Sequence, residues 1–126
     1  MDNLKFFLII LLFIFIDCKD DNNTRPKTNT MFCNTQEPLI DLVWLNEIKT
    51  NAEQNEMDTA EIYFCIYDNK EGFLIDLCVQ CPDALTTFYD CEGNIVCEFG
   101  GYLGTNTCPN FEEKTSKRAL IWKHPQ

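Results

Sequence analysis

The sequence has very few of the side chains that hydrolytic enzymes use. It contains one serine, Ser116, and one histidine, His124, in 126 residues. A Ser-His-Asp site would need both of them, and both lie in a polar C-terminal stretch. Such a site also requires nucleophile, base and orienting group to meet in one place. The scarcity of serine and histidine therefore excludes this class of hydrolase.

Cations are also scarce, and this excludes a second class of function. Ten Lys and Arg residues stand against twenty Asp and Glu residues, which gives a formal net charge of −10. Such a surface repels the phosphate backbone of DNA or RNA. The charges look scattered along the chain, which is typical of a solubility feature rather than of a binding patch. We expect no nucleic-acid partner.

Long apolar runs are absent apart from one near the start, from Phe6 to Ile16. A membrane-spanning helix needs about 20 apolar residues, so this run is too short to cross a bilayer. Its length fits the apolar region of a secretory signal peptide. We therefore expect residues 1–17 to be a signal peptide that is removed.

Cys18 follows this leader directly and resembles the lipobox cysteine of bacterial lipoproteins, which carries fatty acyl chains such as palmitate. Two residues depart from that pattern, because Asp17 stands where a small residue is usual and Phe15 where leucine is usual. Lys19 to Asn23 resembles the acidic signal that sends Bacteroidota-type lipoproteins to the outer face of the outer membrane. The expectation is a lipid on Cys18 and a protein anchored at the cell surface. The alternative is an ordinary disulfide cysteine behind a conventional cleavage site.

A polar tether and a helix follow the expected anchor. Residues 18–37 are rich in Asn, Thr and charged side chains, which predicts a flexible tether. We expect the folded domain to span residues 38–126. Trp44, Ile48 and Ala52 recur every four residues, which predicts a helix over about residues 42–55 with Asp41 as its N-cap. A tryptophan on such a stripe is typical of a core position.

Alternating apolar residues predict a small sheet after the helix. Residues 61–68 are aromatic and β-branched with both faces apolar, which indicates a central strand. Further strands are predicted at 73–77, 85–90 and 95–99. The apolar patch at 119–122 either adds an edge strand or covers the core. The predicted fold class is α+β, one N-terminal helix on a small antiparallel sheet of four or five disulfide-stapled strands.

Cysteine is abundant, with eight in the chain. An exported domain of roughly 90 residues buries a modest core, so disulfides are expected to stabilise it. With Cys18 lipidated, seven cysteines remain, and the odd number leaves at least one free or paired between molecules. A mid-strand position favours Cys65 as the free thiol. The six structural disulfide candidates, whose pairing the sequence does not select, are Cys33, Cys78, Cys81, Cys91, Cys97 and Cys108.

The Cys78-Val-Gln-Cys81 motif has two functional alternatives. One is a thiol–disulfide oxidoreductase that uses Cys78 and Cys81, although a strand rather than a helix is predicted after the motif. The other is a zinc site that adds Cys91 and Cys97, although the spacing is unlike paired zinc knuckles. Structural disulfides are the preferred interpretation. Asp90, Glu92 and Asn94 could bring oxygens to calcium, but residues 90–94 are interpreted as a hairpin turn rather than a calcium loop.

Several short motifs together resemble a family of small Bacteroidota-type cell-surface lipoproteins without an assigned activity. The resemblance covers Asp41 to Lys123 and implies surface localisation, with no catalytic residue. It also implies that Cys65 and Cys91 are additional cysteines, which leaves room for a Cys65–Cys91 bridge, and that Val43 replaces a proline at the helix start. The motifs are 41–45, Cys78–Asp83, Tyr89-Asp90, Gly93-Asn94, Cys97, Gly100-Gly101, Cys108-Pro109, Phe111 and 120–123.

These patterns together predict an outer-membrane lipoprotein with a non-catalytic interaction or structural domain. We expect no catalytic, cofactor-binding or metal-binding residue and no enzymatic activity. The expected partners are the membrane, through the lipid anchor, and an unidentified protein or glycan. The alternative function is the extracytoplasmic oxidoreductase described above.

Overall fold

A computed structural model describes residues 29–55 and 59–124 of the chain. The expected signal peptide, the expected lipid attachment at Cys18 and most of the expected tether lie outside these residues. In the part of the chain that is described, no helix is long and apolar enough to cross a bilayer. The elements are α1 (Pro38–Asp41), α2 (Val43–Gln54), β1 (Glu61–Tyr67), β2 (Lys70–Asp76), β3 (Leu85–Asp90), β4 (Ile95–Gly100), β5 (Thr105–Asn106), α3 (Phe111–Lys114) and β6 (Thr115–Lys123).

The strands form one antiparallel sheet in the order β5-β4-β3-β2-β1-β6. The α+β class is confirmed. In the described part of the chain, however, the sheet has six strands rather than four or five, and the one-turn helices α1 and α3 accompany α2 where a single helix was expected. β5 has only two residues, too few to show an alternating pattern. β6 begins at Thr115, well before the apolar patch at 119–122, because an edge strand can carry polar side chains along most of its length.

The turn between β1 and β2 lies earlier than the sequence indicated. The predicted strands at 61–68 and 73–77 leave residues 69–72 for the turn, but Asp68 and Asn69 form it, with φ of 48° and 63°. Two consecutive residues with positive φ make the turn that best matches the twist of a hairpin. Asp and Asn tolerate this conformation without glycine, so Gly72 is left inside β2, where it faces Cys65.

Helix α2 packs on one face of the sheet, called the first face. Its bounds match the prediction to within a residue at each end. Leu45 is fully buried and Ala52 nearly so, and Trp44 packs against Phe73 and Tyr89. The Trp44 indole N–H donates to the carbonyl of Cys91 at 3.2 Å, so this tryptophan is a core residue. The N-cap prediction is wrong.

Asp41 does not cap α2 because it belongs to the preceding turn of helix, α1. Leu42 precedes α2 in extended geometry and offers no side-chain cap. The Asp41 carboxylate instead accepts a hydrogen bond from the Thr35 hydroxyl. Pro38 stands at the start of α1, where its missing N–H costs nothing.

The N-terminal segment already packs on the first face of the sheet at Phe32 and Cys33. The domain was expected to begin only at residue 38. The Phe32 ring meets the Phe64 ring edge to face, with centroids 5.0 Å apart. Cys33 is buried in the same cluster. Residues 32–37 therefore cover the sheet beside α2, and they pass close to β6.

The second face of the sheet is covered by the segment around α3. Phe111 is buried and stacks on Tyr67 with ring centroids 4.8 Å apart. Phe88, Leu74 and Cys65 complete the centre of this cluster. Both faces of β1 are thus buried, and β1 has a neighbour on each side, as its apolar faces predict.

We predict that Gly93→Ala destabilises the protein by about 2 kcal/mol or more. Gly93 has φ +88°, and a β-carbon there would lie 2.7 Å from Cγ of Trp44. Gly104→Ala is the matched control, because Gly104 has φ +62° but open space around it. The control should lose only the conformational term, about 1 kcal/mol. Urea unfolding of both variants measures the difference, and equal losses would contradict the packing assigned to Trp44.

Candidate functional site

Two disulfides each attach a covering segment to the sheet. Cys33–Cys91 links the N-terminal segment to the turn after β3, across a sequence separation of 58. Cys97–Cys108 links β4 to the segment before α3, with a separation of 11. Cys108 and Cys97 are buried in the second-face cluster. Both bonds therefore fix packing rather than present reactive sulfur.

The third disulfide, Cys78–Cys81, closes a tight turn in the exposed loop between β2 and β3. The Cys81 amide donates to the Cys78 carbonyl at 3.0 Å, and the Val79 amide donates to the carbonyl of Thr59 at 2.9 Å. The Cys78 amide donates to the Asp76 carboxylate at 2.9 Å. A reactive thiolate is stabilised by a helix N-terminus or a neighbouring cation. Here the amides have other acceptors, and the charged group bonded to the motif is the Asp76 carboxylate, so the geometry favours a structural turn.

The structure thus pairs all six structural disulfide candidates and leaves Cys65 as the free cysteine of the described residues. Cys65 is fully buried between β2 and β6, and this burial raises the pKa of its thiol. The Arg118 side chain lies against the sulfur and opposes the shift to a smaller extent. The bridge to Cys91 that the family resemblance left open is wrong, because Cys91 is bonded to Cys33.

The four cysteines of the zinc alternative lie in three separate disulfides, so they offer no thiolates as paired here. Among residues 29–55 and 59–124, the one grouping with metal-ligand spacing is Cys33, Glu71 and Cys91. Its two sulfurs are bonded to each other, and a metal would need them reduced and deprotonated.

The turn interpretation of residues 90–94 is confirmed. The Asp90 carboxylate accepts hydrogen bonds from the amides of Glu92 and Asn94 at 3.0 and 2.8 Å. Bonds from these backbone amides also lower the pKa of Asp90. The Asp90 carboxylate, which a calcium loop would need as a ligand, is therefore engaged in holding the turn.

A shallow cleft of about 280 Å³ lies on the second face, between β1, β2 and α3. Its carboxylates already have partners within the protein. The Tyr63 hydroxyl donates to Glu61 at 2.6 Å, which lowers the pKa of Glu61 and raises that of Tyr63. Arg118 pairs with Glu112 at 2.9 Å and lies over the Tyr63 ring. This network organises the exposed part of the second face.

The free edge of β6 has a different character from the rest of the surface. Four of the six described Lys and Arg residues lie at or beside this edge, and no acid occurs after Glu113. The remaining described residues carry two cations against fourteen carboxylates. The four cations of this basic edge, all exposed, are Lys114, Lys117, Arg118 and Lys123.

An apolar cleft runs beside the basic edge. Leu120 and Ile121 line it from β6, and Phe32, Leu39 and Ile40 line it from the N-terminal segment and α1, around a volume of about 600 Å³. Gln36 and Glu37 are its polar members. Ile40 is 69% exposed and Leu120 52% exposed, so the cleft offers apolar surface directly next to an unpaired strand.

Sequence reasoning missed this surface, although part of the signal was visible. The charges looked scattered when counted over the whole chain, but the stretch from Lys114 onward is uniformly basic. The cleft could not be foreseen, because it depends on residues 32–40 lying next to β6, and that range was interpreted largely as tether.

The fold and its bonds define a small disulfide-stabilised α+β domain with an open antiparallel sheet. The chain belongs to the family described as Domain of unknown function (DUF6970), which matches residues 47–124. The match covers α2 from Glu47 onward and the whole sheet, and it leaves out Cys33, the partner of Cys91. No curated protein and no solved structure matches the chain significantly.

We predict that the three disulfides stabilise the protein in the order of the loops they close. In the chain-entropy picture, replacing both cysteines by alanine should cost about 4 kcal/mol for Cys33–Cys91, about 3 for Cys97–Cys108 and about 1.5 for Cys78–Cys81. The closed loops have separations of 58, 11 and 3 residues. Guanidinium unfolding of the three double variants gives the ranking. A loss of Cys78–Cys81 that costs as much as the longest loop would refute the assignment.

Proposed function

We propose that this protein is a cell-surface lipoprotein, anchored through Cys18, whose described domain is a non-catalytic interaction module. The observation that carries the non-catalytic part is the state of the cysteines. Six of the seven described cysteines are engaged in disulfides, and the seventh is buried with a raised thiol pKa. Every described cysteine is therefore either bonded or buried, which leaves no accessible thiol among the described residues.

The export part of the proposal is supported by the same bonds. Structural disulfides persist in oxidising compartments outside the cytoplasm. An apolar leader that ends at a cysteine supplies a route to such a compartment, and the resemblance to Bacteroidota-type lipoproteins indicates the outer membrane as destination. Several acyl chains on one cysteine would hold the protein firmly, since each buried methylene contributes about 0.8 kcal/mol.

The interaction part is supported by the surface of the domain. A soluble domain that only had to remain stable would gain nothing from an apolar cleft beside an unpaired strand. The cleft and the basic edge together offer apolar contact, backbone hydrogen-bonding groups and charge in one place. A protein partner engages all three, whereas a glycan partner would make little use of the backbone hydrogen-bonding groups of a strand edge, and a neutral glycan would make little use of the cations.

The competing function is a thiol–disulfide oxidoreductase, and one observation favours it. Cys78 and Cys81 are bonded to each other, as in an oxidised redox motif, and they lie in an exposed loop. The environment of the motif favours the structural role, because the loop provides no helix N-terminus and its amides are bonded to Thr59 and Asp76.

We predict that Cys18→Ala abolishes fatty-acid labelling and releases the protein from the membrane. The physical reason is that the leader is the chain's longest apolar run and is expected to be removed, which leaves the acyl chains as the anchor. Metabolic labelling with a palmitate analogue, followed by membrane fractionation, measures both effects. Cys33→Ala is the matched control and should keep the label. Undiminished labelling of the Cys18 variant would sink the anchor proposal.

We predict that the purified protein does not turn over an added peptide disulfide in the presence of excess dithiol. Cys78–Cys81 is exposed, so its reduction alone decides nothing; catalytic turnover requires an activated thiolate. The rate should equal that of the Cys78→Ser/Cys81→Ser variant. A rate at least tenfold above this control would move the protein into the oxidoreductases.

A further inference from the structure

The geometry points to the free edge of β6 as a docking site for an extended, acidic polypeptide strand of a partner protein. This inference rests on the proposed interaction function and names the partner's chemistry. The strand would pair with β6 and continue the sheet by one strand.

The first argument is the open backbone. β6 is the last strand of the sheet, has nine residues and, among residues 29–55 and 59–124, pairs only with β1. The opposite edge strand, β5, has two residues, so it offers almost nothing to pair with. An unpaired strand presents a row of N–H and C=O groups that an extended segment can match. Two register shifts in the β1–β6 pairing leave residues 117–120 as the regular central part of this edge.

The second argument is charge. Lys117 and Lys123 lie on β6 itself, and Lys114 comes directly before it. Cross-strand pairs of opposite charge stabilise a sheet and pairs of like charge destabilise it. A second copy that paired its own β6 against this edge would bring two basic strands together. An acidic strand meets complementary charge, so the cations select against self-pairing and in favour of an acidic partner.

The third argument is the cleft, which gives the strand's two faces different requirements. Phe32, Leu39 and Ile40 lie on the first face of the sheet, where apolar side chains of the strand would pack. Arg118 and Lys123 lie on the second face, because Arg118 covers the Tyr63 ring and Lys123 pairs with Glu61. Lys117 lies over the Phe32 and Phe64 rings on the first face, so it contributes to the net charge of the edge rather than to the second-face pairs. Side chains alternate between the faces of a strand. A strand with alternating apolar and acidic residues therefore satisfies both faces at once.

The test uses the full chain in non-ionic detergent and a nine-residue peptide that alternates valine and glutamate. Titration is followed by NMR of the backbone amides, and the shifts should be saturable and centred on residues 117–120. The same peptide with lysine in place of glutamate should not bind. Versions with every second amide N-methylated, one for each register, keep the charge but block one edge, and one of the two must lose binding. Added salt should weaken binding, since exposed charges are screened.

Two protein variants assign the effect to the edge. Arg118→Gln/Lys123→Gln should weaken binding about two- to tenfold, as expected for two charge pairs on the second face. The control, Tyr102→Glu/Leu103→Glu, also lowers the net charge by two but lies in the turn after β4, at the far side of the sheet, where Tyr102 is 86% and Leu103 88% exposed. Urea unfolding shows that each variant is folded. The control should bind as the unchanged protein does.

Any of the following results would overturn the inference. They are the absence of saturable shifts up to about 1 mM peptide, equal binding of the acidic and basic peptides, and a greater loss in the control variant. Dimerisation of the protein through β6, detected by sedimentation and by protection of the same amides, would also overturn it. If the protein is membrane-anchored but binds none of the peptides, this inference alone fails. If Cys18 is not acylated, or if the protein turns over an added disulfide, the proposed function fails.

Discussion

The structure depends on burying both faces of β1. Ile62 and Phe64 point to one face and Cys65 and Tyr67 to the other, and all four are buried. A small chain cannot cover two faces with one helix, so two separate segments do it. Each long disulfide fastens one of these covers, Cys33–Cys91 on the first face and Cys97–Cys108 on the second. The two bonds thus hold segments that have little regular secondary structure of their own.

Sequence patterns were sufficient for the elements with strong periodicity. The stripe of α2, the alternation of β1 and the boundaries of β3 were predicted correctly, because burial on one or two faces leaves a readable period. β5 and the first half of β6 could not be predicted, because edge strands have little buried surface to enforce a pattern. The β1–β2 turn was misplaced because Asn69 to Gly72 was interpreted as the turn, while Asp68 and Asn69 adopt positive φ.

The features of the candidate site could also be predicted from the sequence only in part. The identity of the six bonded cysteines followed from composition and from the mid-strand position of Cys65, which buries its thiol. Their pairing did not follow, because Cys33 and Cys91 meet only when residues 32–37 fold back over the sheet. The basic edge shows a similar dependence. Its cations are adjacent in sequence, but their meaning appears only when β6 proves to be the edge of the sheet.

The position of β6 in the chain links the fold to the proposed interaction. β2 and β6 flank β1, so β6 lies at the edge of the sheet. Within the described residues, one side of β6 is therefore unpaired. In a sheet with no other protection this side would pair with any exposed strand, including its own copy. Concentrating cations there, on an otherwise acidic protein, repels the basic edge of another copy while it attracts acidic segments. The charge that would oppose pairing between two copies is therefore the same charge that would give the docking edge its specificity.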